Sequence, residues 1–383
     1  MRSVLIVDPV HARGGMDQYC IPLATALTKQ NYHVRLVTNS KRSDLRVGSE
    51  IDILPYFGGL FSTRARAANL LSFALGSLRV AFFAMVKRPK AIHLHLFQYT
   101  ILELLLTSLV KMSGRKIVAT VHDVDSFRTR KQSNLVRNAV FALANILIVH
   151  NETSKRMLLE ILPRRVDDIR VIKHGNYIGL ISQFGGSQQK DDRVENSKCL
   201  MCGLDILFFG QIKRVKGIEV LLDAAMKLNQ SDIRFSLNIE GKPSDYSVDE
   251  IEKALEVRDI SNQTRLKLGY LPTGDAIISL RKADVVVLPY HRIYQSGVLL
   301  LAMSAGAVVV ASDLAAMVEV IEDGVNGFTF RAGDAGHLAE VLEHVAGLSI
   351  KERILISENA FRTAHDLFSW DHIASATIEA YDQ

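Results

Sequence analysis

Twice along the chain, short unbroken apolar runs alternate with longer stretches whose apolar residues recur every three or four positions. Such runs are strands buried on both faces, and the stretches between them are helices that cover a parallel sheet. The first series has runs at 3–8, 33–38, 51–54, 91–96, 116–121, 146–150 and 169–172, and the second at 205–209, 234–239, 266–268, 285–288 and 307–310. Between the two series, residues 181–198 (ISQFGGSQQKDDRVENSK) are polar and aperiodic, the composition of a linker. The pattern predicts an α/β protein with two doubly wound, Rossmann-like domains. The first spans 1–180, the linker 181–198 and the second 199–366, and a terminal helix within 367–383 is expected to return toward the first domain. Ser247 and Glu250 have the spacing of a capping box, and Asp334 stands where it would cap a late helix.

At 383 residues with 48% hydrophobic content, the chain can bury two cores and is not a single small module. Its net charge of +5 conceals an asymmetry: residues 1–200 carry 29 basic and 15 acidic side chains, residues 201–383 carry 17 and 26. Opposite signs imply different neighbours for the two domains. A nucleic-acid partner is disfavoured because no aromatic residues interleave with the cations of the basic half. Three cysteines exclude a disulfide framework and indicate a reducing compartment. Cys199 and Cys202 form a C-x-x-C, but no second pair follows at zinc spacing. The N-terminus reads as a strand rather than a signal peptide, so a cytoplasmic location is expected.

Residues 67–86 (AANLLSFALGSLRVAFFAMV) approach the length of a membrane span, with Arg79 as the only charge. Arg64 and Arg66 precede the segment, and Lys87, Arg88 and Lys90 follow it. A spanning helix would bury Arg79 at a cost of a few kcal/mol and interrupt the βαβ series. An interfacial helix fits better, drawn to anionic headgroups by about 1 kcal/mol per charge. The other reading is a buried helix of the first domain.

In open α/β sheets, ligands bind beyond the carboxyl ends of the strands. After the first strand comes His11-Ala-Arg-Gly14-Gly15, where glycines allow backbone N–H groups to approach an anion at the helix start. This is not the G-x-G-x-x-G of a dinucleotide site. His93 and His95 share one strand face and read as structural, since no third metal ligand accompanies them. His122 ends a strand beside Asp123 and Asp125, where a contact to a sugar and a structural role are equally open. In the second half, Gly210-Gln211-Ile-Lys213-Arg214-Val-Lys216-Gly217 joins a strand to a helix. Three cations and two glycines suit a diphosphate, and composition alone leaves a solvated basic loop as an equal reading. A second such junction, 289–298, ends in Gln295-Ser296-Gly297-Val298 and would offer free N–H donors to a phosphate.

Together these segments resemble the retaining glycosyltransferases of family four, which have the GT-B fold: two Rossmann-like domains facing a central cleft. The matching stretches are FFGQIKRVKGIEVLLDA, NIEGKP, LGYLPTGDAIISLRKADVVVLPY, YQSGVLLLAMSAGAVVVASD and MVEVIEDGVNGFTF. The first half agrees more loosely, through its Gly-Gly loop, AIHLHLF and ATVHDVDSF. The resemblance implies a nucleotide sugar in the C-terminal domain and an acceptor mainly in the N-terminal one. Lys216 matches the lysine that neutralises the donor diphosphate, and Ser296, Gly297 and Val298 match the loop that meets phosphate and sugar. Leu271 falls where the chain packs on the nucleobase, and Gly15 matches the glycine loop near the diphosphate, with Gly14 on the acceptor side. His122 matches the histidine near the transferred sugar, and Glu319 matches a common glutamate. Two positions depart from the family. Its partner arginine is Gln211, with Lys213 or Arg214 as substitutes, and its paired glutamates are Ile293 and Leu301. Neither apolar side chain can accept a hydrogen bond from a sugar hydroxyl, which shifts that role to backbone groups and Gln295.

The reading is a glycosyltransferase that moves a sugar from a nucleotide-diphosphate donor to a glycan or lipid-linked glycan in surface polysaccharide synthesis. His122 and Lys216 are the catalytic candidates, and no metal or cofactor is expected. The basic half and its apolar helix imply an anionic membrane surface, with the protein peripheral on the inner face of the plasma membrane. A non-catalytic GT-B binding subunit and a nucleotide-sugar epimerase are the alternatives.

Overall fold

The computed structural model describes residues 2–10, 16–39, 48–58, 66–97, 99–124, 134–163, 165–184, 203–231 and 233–383. The chain forms two compact units, Met1–Gly175 with Phe368–Gln383, and Asn176–Leu367.

In the first unit the order is β1 (Arg2–Val7), α1 (Asp17–Lys29), β2 (Tyr32–Val37), β3 (Asp52–Leu54), α2 (Arg66–Lys87), β4 (Ala91–Leu96), α3 (Ile101–Lys111), β5 (Lys116–Val121), α4 (Asn134–Leu143), β6 (Ile146–Val149), α5 (Glu152–Ile161) and β7 (Ile169–Val171). The seven strands make one sheet of order β3-β2-β1-β4-β5-β6-β7, with every pair parallel. The order reverses between β1 and β4, which is where such a sheet opens a crevice. All six residues of β4 are buried, His93 and His95 included. Helix α2 packs Phe73, Ser77, Val80 and Ala84 inward. Gly76 sits against Phe57, where a Cβ would collide with the ring. One face of the helix is thus buried, and the other, with Leu71, Leu75, Leu78 and Phe82, is exposed.

The C-terminal helix, Trp370–Asp382, completes the first unit. The Tyr381 hydroxyl lies 2.7 Å from His93 Nδ1, and Gln30 donates to the Asp371 carbonyl at 3.0 Å. Lys90 pairs with Asp382, Lys116 donates to the Tyr381 carbonyl, and Gly175 lies flat against the Trp370 indole.

The second unit runs α6 (Ile178–Phe184), β8 (Leu204–Phe209), α7 (Ile218–Gln230), β9 (Phe235–Gly241), α8 (Val248–Val257), β10 (Thr264–Leu268), α9 (Thr273–Lys282), β11 (Val285–Leu288), α10 (Gly297–Ser304), β12 (Val308–Ser312), α11 (Ala315–Val318), β13 (Phe328–Phe330), α12 (Ala335–Gly347) and α13 (Ile350–Leu367). Its sheet has the order β10-β9-β8-β11-β12-β13, again parallel, with the reversal between β8 and β11. Ile206, Phe208, Leu221, Leu237, Val285 and Val287 centre the core. The Ser247–Glu250 capping box forms in both directions, and Asp334 caps α12 by accepting from the His337 N–H at 2.9 Å.

Each of the twelve apolar runs is a strand. The thirteenth, β13, is only three residues long and stood outside the expected set. The expected linker starts too early: residues 181–184 belong to α6, whose Phe184 packs on Gly274 of the second unit. Apolar Ile178, Leu180 and Ile181 anchor that helix ahead of the polar run. Residues 185–202, which include Cys199 and Cys202, lie outside the described residues.

Candidate active site

In the second unit, the loops after β8 and β11 stand on either side of the switch point. They are stitched together by backbone: His291 N–H donates to the Val215 carbonyl at 3.0 Å. Gly217 adopts φ 63° and begins α7, and a Cβ there would strike the Pro289 carbonyl. Gly241 (φ 145°) is equally constrained by the Gly210 carbonyl oxygen. These close approaches require glycine and hold the loop in one shape.

The single 3-10 turn Arg214–Lys216 presents Lys216. Its ammonium lies 3.6 Å from the centre of the Tyr290 ring, a cation–π contact. Tyr290 is 1% exposed, and its hydroxyl hydrogen-bonds the Ser296 side chain; burial holds that phenol well above its ordinary pKa. Ser296 in turn caps α10 by accepting from the Leu299 N–H at 3.1 Å. The N–H groups of Gly297 and Val298 have no acceptor within the helix, as at any helix start. Gly297 has no room for a side chain, because a Cβ would lie 2.8 Å from the Tyr177 hydroxyl. Val298 reaches back toward Gly210, 3.4 Å from where a Cβ would sit. The Gln295 amide nitrogen is buried and has no hydrogen-bond partner among the described residues. A donor so placed is costly unless an acceptor reaches it.

The structure thus joins Gly210, Lys216, Ser296, Gly297 and Val298 into one constellation. Gln211 is exposed and Lys213 half-buried in the same loop. Arg214, in the same loop, is paired within the unit. Its guanidinium donates to Glu250 at 3.0 Å, lies 3.9 Å from Glu219 and stacks on Tyr246 at 4.5 Å. Two carboxylates and a ring hold it in this arrangement. Leu271 is half-buried after β10, beside Tyr270, which is 78% exposed. Glu319 is exposed at the end of α11. Ile293 and Leu301 are half-buried. Tyr290 and Tyr177 were not singled out from sequence; each acts on a residue far along the chain.

In the first unit, Gly14 and Gly15 lie outside the described residues. His122 belongs to a histidine cluster at the carboxyl ends of β4 to β7. His150 Nδ1 faces the Ile172 carbonyl at 2.9 Å, His150 Nε2 faces His122 Nδ1 at 3.2 Å, and His122 Nε2 faces His95 Nδ1 at 3.1 Å. A carbonyl only accepts, so His150 carries its proton on Nδ1. For neutral rings the rest follows: His122 and His95 are Nδ1–H tautomers too, and each donates along the chain. His95 Nε2 is then a bare acceptor, buried and without a partner among the described residues. Burial lowers all five pKa values, to about 4 for His150 and about 3 for His93 and His174, with His95 and His122 also well below the ordinary value. Tyr19 contacts His95, His122, His150 and His174 edge-on or tilted. Phe97 stacks on His122 at 4.3 Å. Both His122 nitrogens are engaged inside the protein, and no group of three His, Cys, Asp or Glu among the described residues is arranged to hold a metal.

Two parallel-sheet α/β units, each with its strand order reversed at a switch point, define a GT-B architecture, and solved structures agree. The chain is similar to sucrose-phosphate synthase from Thermosynechococcus elongatus, with a TM-score of 0.78 at 16% identity over 100% of this chain and 99% of that one. It is also similar to Anabaena HepE in complex with UDP and glucose (TM-score 0.72, 17% identity, 100% of both chains). The catalytic domain of Arabidopsis thaliana starch synthase IV bound to ADP and acarbose gives 0.77 at 15%, over 100% and 99%. Residues 13–175 match the family described as Glycosyltransferase Family 4, and residues 203–347 that described as Glycosyl transferases group 1. The chain belongs to the group 1, family four glycosyltransferases and is a transferase enzyme. Among curated relatives, a D-inositol 3-phosphate glycosyltransferase of Salinispora arenicola is 23% identical over 97% of this chain and 87% of that protein. An uncharacterized glycosyltransferase of Methanocaldococcus jannaschii is 32% identical over 46% of this chain and 44% of its own length.

Proposed function

We propose that the protein transfers a sugar from a nucleoside-diphosphate donor, bound by the second unit, to a glycan or lipid-linked glycan acceptor bound by the first. Retention at the anomeric carbon is what the family resemblance implies; a role in surface polysaccharide synthesis on the inner face of the plasma membrane is inferred from the charge of the basic half together with that resemblance. The observation that carries the donor half is the Lys216–Tyr290–Ser296 arrangement at the β8/β11 switch point. A fixed ammonium beside a helix start stabilises charge developing on a departing diphosphate, with no reorganisation at the moment of reaction. Similarity to structures holding UDP or ADP supports a nucleotide there. With Arg214 held by carboxylates, Lys213 is the remaining substitute for the family arginine. The Gln295 side-chain oxygen takes the acceptor role that Ile293 and Leu301 cannot fill, while its amide nitrogen and the Gly297 and Val298 N–H groups donate to phosphate and sugar oxygens. His122, with Gly14, is assigned to the sugar and acceptor side; meeting a ligand requires it to release His95 or His150.

Calorimetric titration with UDP, GDP, ADP and dTDP tests this. One nucleotide is expected to bind, and Lys216→Ala to weaken it by about tenfold or more, roughly 1.4 kcal/mol. Folded protein that binds none of the four would sink the proposal.

A further inference from the structure

Helix α2 presents an apolar stripe that no other element among the described residues covers. Leu71, Leu75, Leu78, Phe82, Met85 and Val86 are 44% to 65% exposed. Their spacing of four, three, four and three residues from 71 to 85 keeps them on one side of the helix. The opposite side is fixed by Phe73, Val80 and Ala84 and by the contact of Gly76 with Phe57. An uncovered patch of large apolar side chains on a soluble fold marks an interaction surface.

Charge selects the occupant. Between Asp52 and Glu103 the sequence holds six cations (Arg64, Arg66, Arg79, Lys87, Arg88 and Lys90) and no acidic residue. Arg79, Lys87 and Arg88 are exposed along or just past the stripe. A second copy docked through the stripe about a two-fold axis would bring these cations toward their own counterparts, with no carboxylate on the helix to pair them. A spanning helix would strip the packing of Phe73, Val80 and Ala84 and draw Arg79 into hydrocarbon. A phospholipid surface meets neither cost. The stripe enters the acyl boundary, the cations stay among headgroup phosphates, and Arg79 extends its stem along the apolar surface to reach them.

We propose that this face of α2 docks the enzyme in the plane of an anionic phospholipid bilayer. The inference deepens the reading of a lipid-linked acceptor, yet its test does not involve transfer. The full-length protein is sedimented with vesicles of phosphatidylcholine alone, or of phosphatidylcholine with phosphatidylglycerol. Binding is expected only to the anionic vesicles and weakens as salt is raised. Leu78→Ser with Phe82→Ser, and separately Arg79→Glu with Lys87→Glu, each reduce partition about tenfold or more at an unchanged melting temperature. Undiminished binding by both variants, equal binding to neutral vesicles, or no binding overturns the proposal. So does a dimer in light scattering that dissociates with Leu78→Ser and Phe82→Ser. Vesicle binding without nucleotide binding would leave this inference standing and remove the proposed nucleoside-diphosphate donor instead.

Discussion

Tyr290 serves two neighbours at once, its ring under the Lys216 ammonium and its hydroxyl on Ser296. Tyr290→Leu removes both contacts and should weaken nucleotide binding by about 1–2 kcal/mol, a range set by cation–π contacts. Tyr290→Phe keeps the ring and should lose less; calorimetry on the two variants separates the contributions, and wild-type affinity in the Leu variant would refute the role. Gly241→Ala must place a Cβ against the Gly210 carbonyl at φ 145°, and is expected to lower the urea midpoint by the equivalent of about 3 kcal/mol or more. Sequence reading singled out Lys216 through the family resemblance, since three cations and two glycines at a strand end suit a solvated basic loop equally well. It could not find Tyr290, whose contact with Lys216 spans 74 positions, 216 to 290. The ion pairs of Arg214 were equally hidden: its loop shows three cations, while the acids that pair with one of them, Glu219 and Glu250, sit on later helices.

Among elements, the ends of β4 to β7 carry the histidine cluster, and its burial links stability to pH. The ordinary histidine pKa is 6.5, against about 4 for folded His150 and about 3 for folded His93 and His174. Between those values the unfolded chain binds protons that the folded chain refuses, so stability rises with pH across the window. It is fully present above about 6.5 and is lost as pH falls toward 4, by up to roughly 1.4 kcal/mol per pH unit for each group. Thermal melts from pH 7 to 5 should show a falling midpoint, with a shallower slope in His150→Gln. Nitrogen NMR of the imidazoles should find His150, His122 and His95 protonated on Nδ1. The strands were legible because burial on both faces makes them continuous apolar runs, as in Val285–Leu288. β13 was not, since three residues leave no pattern. The cluster was also hidden: its members are scattered from 93 to 174, and only the β1-β4-β5-β6-β7 order sets them side by side.

At the level of the whole molecule, the first unit is closed by residues that come after the entire second unit. A chain ended at Leu367 would leave His93 without Tyr381, Lys90 without Asp382 and Gly175 without the Trp370 ring. Such a truncation should make the first unit protease-sensitive while the second unit still binds its nucleotide, measurable by limited digestion and calorimetry. The charge asymmetry of the halves and the return of a terminal helix were expected from sequence, but the partners that helix meets, Gln30, His93 and Gly175, were not visible in its apolar spacing. That crossing reverses the order of maturation. During synthesis the first unit is made first, yet it must wait, unsealed around Tyr19 and its histidines, until everything that follows it has emerged. The second unit, continuous in sequence, can finish before it. Any product interrupted before residue 370 carries that opening as a mark of incompleteness, exposed to whatever proteases survey new chains.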